Sequence, residues 1–150
     1  KLSLLGSDIK NKLLINKTKL AEDVSVSNNL QVNLNLNLKT TKYHASGGEE
    51  FFLEIVNDDD ILFGLLRLRL IGKKALIREI HVYGQALKIG EKSKEASQHK
   101  GLGKWLMQEA EKIAKKNGCK KLSVISGVGV RDYYRKLGYV LEDTYMVKEL

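Results

Sequence analysis

The stretch ILFGLLRLRLIGKKALIREIHVYG, residues 61–84, decides the fold. Two apolar runs, ILFGLLRLRL and ALIREIHVYG, flank Gly72-Lys73-Lys74, a turn signal that folds one strand back on the next. Upstream, Asp58-Asp59-Asp60 turns the chain out of FFLEIV (51–56), and Ala45-Ser46-Gly47-Gly48 marks another reversal. Before that, Leu30, Val32, Leu34, Leu36 and Leu38 alternate with Gln31, Asn33, Asn35 and Asn37, the period-2 pattern of a half-buried strand, which predicts a strand over 30–38. Four strands joined by short turns predict an antiparallel meander. In residues 1–27, Ile9, Leu13 and Leu20 fit one helical face, but polar interruptions and Val24-Ser25-Val26 blur the period, so residues 1–29 stand apart as an unassigned N-terminal segment and 30–150 as the domain.

Downstream the pattern changes. QALKIGEKSKEASQHK (85–100) has no sustained apolar period and reads as a loop, whereas Leu102, Leu106, Ala110, Ile113 and Ala114 follow helical spacing until Gly118 offers a stop. KKLSVIS then reads as a strand, GVGV as a tight turn, RDYYRKL as a short helix closed by Gly138, and YVLEDTYMVKE as one or two final strands. Strands first and one long helix later predict an α+β fold.

The 150 residues suit one domain. Lys and Arg number 26 against 18 Asp and Glu, a net charge of +8, which fits a polyanionic partner but equally a lysine-rich solvated surface. The single cysteine, Cys119, excludes an intrachain disulfide or a cysteine-only metal or iron–sulfur site in these residues, and reads as a small buried hydrophobe. His44, His81 and His99 are too scattered to suggest a metal site, so none is expected. No apolar run reaches the roughly 20 residues of a membrane helix, and the first residues lack a secretory pattern. The expectation is a cytoplasmic protein without a membrane partner.

Three constellations carry chemistry. Gln98-His99-Lys100-Gly101-Leu102-Gly103-Lys104 falls at the start of the long helix, where unpaired amides and the helix dipole favour an anion and glycines let a phosphate approach the backbone. It is neither a Walker loop nor a dinucleotide fingerprint, and a ligand-free glycine-containing helix start is the alternative. Adjacent Tyr133 and Tyr134 cannot share one face of a short helix, so at least one ring leaves the core side or meets a cleft, where its hydroxyl could donate a proton; ordinary packing is the alternative. In Arg78-Glu79-Ile80-His81-Val82-Tyr83, period 2 puts Glu79, His81 and Tyr83 on one face and Arg78, Ile80 and Val82 on the other. Glu79 and His81 then suit a base or water-holding pair, or simple surface ion pairing.

The order of strand ALIREIHVYG, loop, Q-x-x-G-x-G, amphipathic helix, strand KKLSVIS and Y-x-x-x-G-Y resembles the GCN5-related N-acetyltransferase (GNAT) superfamily over roughly residues 50–150. Longer blocks, YHASGGEEFFLEI, DILFGLLRLR, REIHVYGQALKIGE, QHKGLGKWLMQEAEKIA and SGVGVRDYYRKLGYVLEDTYMVKEL, resemble the C-terminal acetyltransferase domain of the Elongator catalytic subunit family, of the archaeal type. The resemblance implies a mixed, mainly antiparallel twisted sheet with flanking helices, acetyl-CoA as substrate, and modification of uridine at the tRNA wobble position. It implies that complete family members add a radical S-adenosylmethionine domain with an iron–sulfur cluster, whose cysteines this chain lacks, so the isolated domain should not perform the complete modification.

Residue by residue, the resemblance implies that Gln98, Lys100, Gly101, Leu102, Gly103 and Lys104 hold the pyrophosphate, and that the strand around His81 and Val82 pairs with the pantetheine arm. Tyr134 would protonate or hydrogen-bond the departing thiolate, Tyr133 would help seat acetyl-CoA, and Glu79 lies on the strand that often supplies a general base. The short stretch between the strand at Leu30 and Phe51 leaves no room for the two acceptor-side helices common in the superfamily, so either residues 1–27 substitute or the acceptor side is open. A freestanding lysine or amine N-acetyltransferase and a catalytically silent acyl-CoA or RNA-binding module are the competing functions.

Overall fold

The computed structural model describes residues 35–83 and 101–150. The N-terminal segment, Leu30 to Leu34 of the first expected strand, the 85–100 loop, and with it Gln98, His99 and Lys100, lie outside the described residues. Strands β1 (Asn37–Ala45), β2 (Gly48–Val56), β3 (Leu62–Ile71) and β4 (Lys74–Val82) form the expected antiparallel meander. Helix α1 (Leu102–Lys116) leads into β5 (Lys121–Ile125), a 3-10 turn at Val128–Val130, helix α2 (Arg131–Lys136) and a final hairpin, β6 (Val140–Glu142) and β7 (Tyr145–Glu149). All seven strands join one mixed sheet in the order β1-β2-β3-β4-β5-β7-β6, an α+β architecture.

Of the strand expected over 30–38, the described part is paired from Asn37, and the strand runs on past Leu38 through KTTKYHA to Ala45. Its register is set from the other end. Ser46 and Gly47, both at positive φ (47° and 74°), make a two-residue hairpin turn that pairs Ala45 with Gly48, and the ladder stops at Asn37 opposite Val56, where β2 ends. Beyond the ladder, the Asn35 side-chain amide donates to Asp58 Oδ2 at 3.1 Å. With only this turn between β1 and β2, no helix separates them, as the short spacing implied.

The next two turns follow from local chemistry. Buried Asn57 accepts the amides of Asp59 (3.1 Å) and Ile61 (2.9 Å) on Oδ1, an Asx-type device that reverses the chain over the aspartates. Gly72, at φ +57°, reverses it again into β4.

Helix α1 closes one face of the sheet. Leu102, Leu106, Met107, Ala110 and Ala114 recur at helical spacing and pack against Leu53, Leu66, Leu68, Ile77, Leu122 and Val124, all six of them buried. The opposite face carries a second cluster, Phe52, Val56, Leu62 and Leu65, with Tyr43 and Tyr83 at its margin. A clasp ties α1 to the last hairpin: Glu111 accepts the Tyr139 hydroxyl at 2.9 Å and the Lys148 ammonium at 3.0 Å. Burial, then the neighbouring Glu111, push the Tyr139 phenol well above its ordinary range.

Candidate active site

The site begins where the sheet comes apart. β4 runs parallel to β5 for only three pairs, Ala75 with Leu122, Leu76 with Ser123 and Ile77 with Val124. Past Ile77, β4 keeps its β3 partners, Ile80 opposite Leu66, His81 opposite Leu65 and Val82 opposite Gly64, while its other edge leaves β5. Among the described residues that edge has no further strand partner, and such an edge offers backbone donors and acceptors to an extended ligand.

A bulge marks the parting. Arg67 pairs with Glu79 and Leu68 with Ile77, so Arg78 is the extra residue on β4. The inward positions change parity across it: Ala75 and Ile77 face α1 before the bulge, Ile80 after it. This corrects the strict alternation expected for the segment. Glu79, His81 and Tyr83 do share a face, with Glu79 Oε1 3.0 Å from His81 Nε2 and the His81 and Tyr83 rings stacked at 6.3 Å. Arg78, however, turns to that same side rather than joining Ile80, and its guanidinium donates to Glu50 Oε1 at 2.9 Å.

That contact belongs to a network that the sequence reading missed. Glu50, its side chain 2% exposed, also accepts from Arg69 at 3.0 Å, and Glu79 stands 3.6 Å from Arg67. The available signal was the charge inside otherwise apolar strands, Glu50 in GEEFFLEIV and Arg67 and Arg69 in LFGLLRLRLI.

Across the sheet, on the α1 side, the helix start presents its free amides. Gly101 holds φ +101°, a conformation that a residue with Cβ rarely adopts, and its carbonyl accepts the first helical bond from Trp105 at 2.8 Å. Among the described residues no side chain caps this end, no acid occupies the first turn, and Lys104 is exposed beside it. The combination favours an anion. The two glycines serve different ends. At Gly101 the backbone demands glycine and space is open, whereas at Gly103 a Cβ would lie 2.7 Å from the Tyr133 hydroxyl and 3.6 Å from Val82 Cγ2. Glycine at 103 is what lets the tyrosine tip and β4 meet the helix start.

The two tyrosines divide as their adjacency requires. Tyr134 is buried (4% exposed) within the core, its ring edge-on to Tyr133 at 5.3 Å and to Tyr139 at 6.1 Å. Tyr133 is 39% exposed and reaches Gly103. Burial raises both phenols above the ordinary tyrosine value, so both stay protonated at neutral pH. Apolar side chains at the mouth remain open to solvent: Val82 on β4, Ile125 at the end of β5, and Val128 and Val130 in the 3-10 turn. The structure thus brings Val82, Gly101, Leu102, Gly103, Lys104, Tyr133 and Tyr134 to one end of the molecule. Glu79 and His81 sit on the opposite sheet face.

The chain is similar to known proteins in sequence and in fold. Residues 29–139 match the acetyltransferase (GNAT) family. The chain is 45% identical over 126 residues to the tRNA uridine(34) acetyltransferase of Dehalococcoides mccartyi, covering 75% of this chain and 28% of that protein. It is 49% identical over 121 residues to Elongator complex protein 3 of Schizosaccharomyces pombe, covering 72% of this chain and 22% of that one. The solved structure of the archaeal Methanocaldococcus infernus Elp3 with an N-terminal deletion superposes with a TM-score of 0.67 at 45% identity, over 77% of this chain and 30% of that chain. The chain therefore spans roughly a quarter of the length of these curated relatives.

Proposed function

The chain belongs to the acetyltransferase (GNAT) family, matching the acetyltransferase region of the Elongator protein 3 relatives, and on that premise we propose that it binds acetyl-CoA at the open end of the sheet and supplies the acetyl group for modification of a tRNA uridine. The observation that carries the reading is the junction, among the described residues, of a β4 edge that has left β5, a helix start with no side-chain cap and a tyrosine tip seated on Gly103. In this reading residues 30–150 form the acetyl-CoA unit and 1–29 a separate segment. Bound acetyl-CoA supplies an acyl group activated as a thioester.

The residues divide the work by chemistry. Leu102, Gly103 and Lys104 offer amides and one ammonium to the pyrophosphate, and Gln98, Lys100 and Gly101 complete the loop. His81 and Val82 offer the free strand edge to the pantetheine amides. Tyr133 bounds the acyl arm between Gly103 and Val82. Tyr134, protonated and packed in the core, holds a proton for the departing thiolate sulfur. Glu79, held by His81, takes the acceptor side, since it faces away from α1.

The tRNA substrate rests on the likeness to the tRNA uridine(34) acetyltransferase of Dehalococcoides mccartyi and on the net charge of +8. The same relationship suggests a cytoplasmic protein of archaeal type, working with a radical S-adenosylmethionine domain that carries the iron–sulfur cluster. Among the described residues no helix is long and apolar enough to cross a membrane. The 3.0 Å pair of Glu79 and His81 favours a second reading, transfer to an amine, which stable acetylation of a peptide or polyamine in place of tRNA would establish.

Calorimetric titration with acetyl-CoA tests the donor half. Wild type should bind saturably, and Gly103→Ala should bind at least about tenfold more weakly at an unchanged melting temperature, because the added Cβ displaces only the half-exposed Tyr133 tip. Absence of saturable binding by the wild-type chain would overturn the reading.

A further inference from the structure

The opposite end of α1 carries a different kind of surface. Among the described lysines, Lys39, Lys42, Lys112, Lys121 and Lys148 each pair with a carboxylate. Lys73, Lys74, Lys115, Lys116 and Lys120 have no carboxylate partner among the described residues, as is also true of Lys104 at the other end of α1 and Lys136 on α2, and all five are exposed. They come from three segments, the β3–β4 turn, the last turn of α1 and the connection to β5, which the fold gathers at one place. Lys73 Nζ donates to the carbonyl of Asn117 at 3.4 Å, and a Cβ on Gly118 would stand 2.6 Å from the same nitrogen. The helix dipole accounts for Lys115 and Lys116, which complement its negative end. It does not account for Lys73, Lys74 and Lys120, which lie outside the helix. From Lys112 to Lys121 the sequence holds five lysines and no acid.

A hollow of about 350 Å³ adjoins this cluster, lined by Gly72 and Asn117 together with His44, Ser46 and Gly47 of the β1–β2 turn. Glu49 also lines it, but is already neutralised by Lys42 at 2.7 Å. Exposed His44 offers a flat ring, and the backbone at Gly47 and Gly72 is uncovered. Unneutralised lysines around a shallow polar hollow suit a phosphodiester backbone with an accessible base. The 15 residues of α1 put this surface roughly 22 Å from Gly101, a span that a folded RNA bridges and a lone nucleotide does not.

We propose that Lys73, Lys74, Lys115, Lys116 and Lys120 form a phosphate-docking surface for the RNA substrate, remote from the acyl end. The proposal rests on the tRNA reading above, and the test separates the two. Binding of a tRNA transcript to the 150-residue chain is followed by fluorescence anisotropy across roughly 50 to 200 mM salt. Wild type is compared with Lys74→Gln/Lys116→Gln/Lys120→Gln and with the control Lys39→Gln/Lys42→Gln. Three lost phosphate contacts should lower the magnitude of the slope of log K against log salt by about 2 to 3 and weaken affinity at least tenfold at low salt. The control should keep the wild-type slope, and all three proteins should keep the same melting temperature and acetyl-CoA affinity.

An unchanged slope in the triple variant, with tight wild-type binding, would overturn the surface and leave the tRNA reading standing. An equal loss in the control would reduce the effect to net charge and overturn the surface as well. Failure of wild type to bind tRNA would overturn both. Loss of binding to phosphatidylserine vesicles in the triple variant, with tRNA binding intact, would assign the lysines to a membrane surface instead.

Discussion

Strand β4 has two halves that obey different rules. From Ala75 to Ile77 it is hydrogen-bonded on both sides, and Ala75 and Ile77 are buried beneath α1. From Arg78 to Val82 it keeps one partner strand, and Val82 is 42% exposed. One bulged residue separates a stretch paired on both sides from the stretch that the proposed function gives to the ligand. Substitutions in the closed half should therefore be read in melting temperature, and substitutions around the open half in binding and turnover at constant melting temperature.

The sharpest test removes one oxygen beside the open half. Tyr134→Phe keeps the ring and its edge-on contacts with Tyr133 and Tyr139, and should lower acetyl transfer by about 10² to 10⁴, the range for loss of a general acid. Acetyl-CoA affinity by calorimetry and the melting temperature should hold. A fall in both turnover and stability would break the comparison, because Tyr134 would then belong to the closed region.

Ile77→Ala makes the reverse test. Ile77 is fully buried in the main core, and its loss should cost about 2 to 5 kcal/mol in urea denaturation, with acetyl-CoA affinity unchanged for the protein that stays folded. The smallest effect is at the clasp. The Tyr139 phenol is held above its unfolded value, so its contribution is fully present below about pH 10 and is lost as pH rises from there toward the folded value. Tyr139→Phe should flatten the alkaline decline in stability and cost about 1 kcal/mol at neutral pH, read from denaturation curves at pH 7 and pH 10.5. An unaltered alkaline limb would show that the clasp does not couple to folding.

Much of the fold was legible because its signals were local. Gly72, the three aspartates and Gly118 punctuate the chain where the structure turns, and the spacing of Leu102 to Ala114 became α1. The extension of β1 past Leu38 to Ala45 was not legible, because the leucine alternation ends there and the register is set by the Ser46-Gly47 turn. Within the site, the glycine loop and the unequal fates of Tyr133 and Tyr134 could be anticipated from spacing. The bulge at Arg78 could not, since an extra residue is defined only against the partner strand. The same limit hid the Glu50, Arg69 and Arg78 network, which joins three strands.

The short β4–β5 ladder also bears on how the chain assembles. The meander closes through turns of a few residues, whereas Ala75 meets Leu122 only after α1 and its flanking segments have been spanned. Closing that long loop costs chain entropy that three residue pairs repay slowly. The seam beside the proposed acyl site is thus expected to zip last, so that site would inherit the lateness of its own folding.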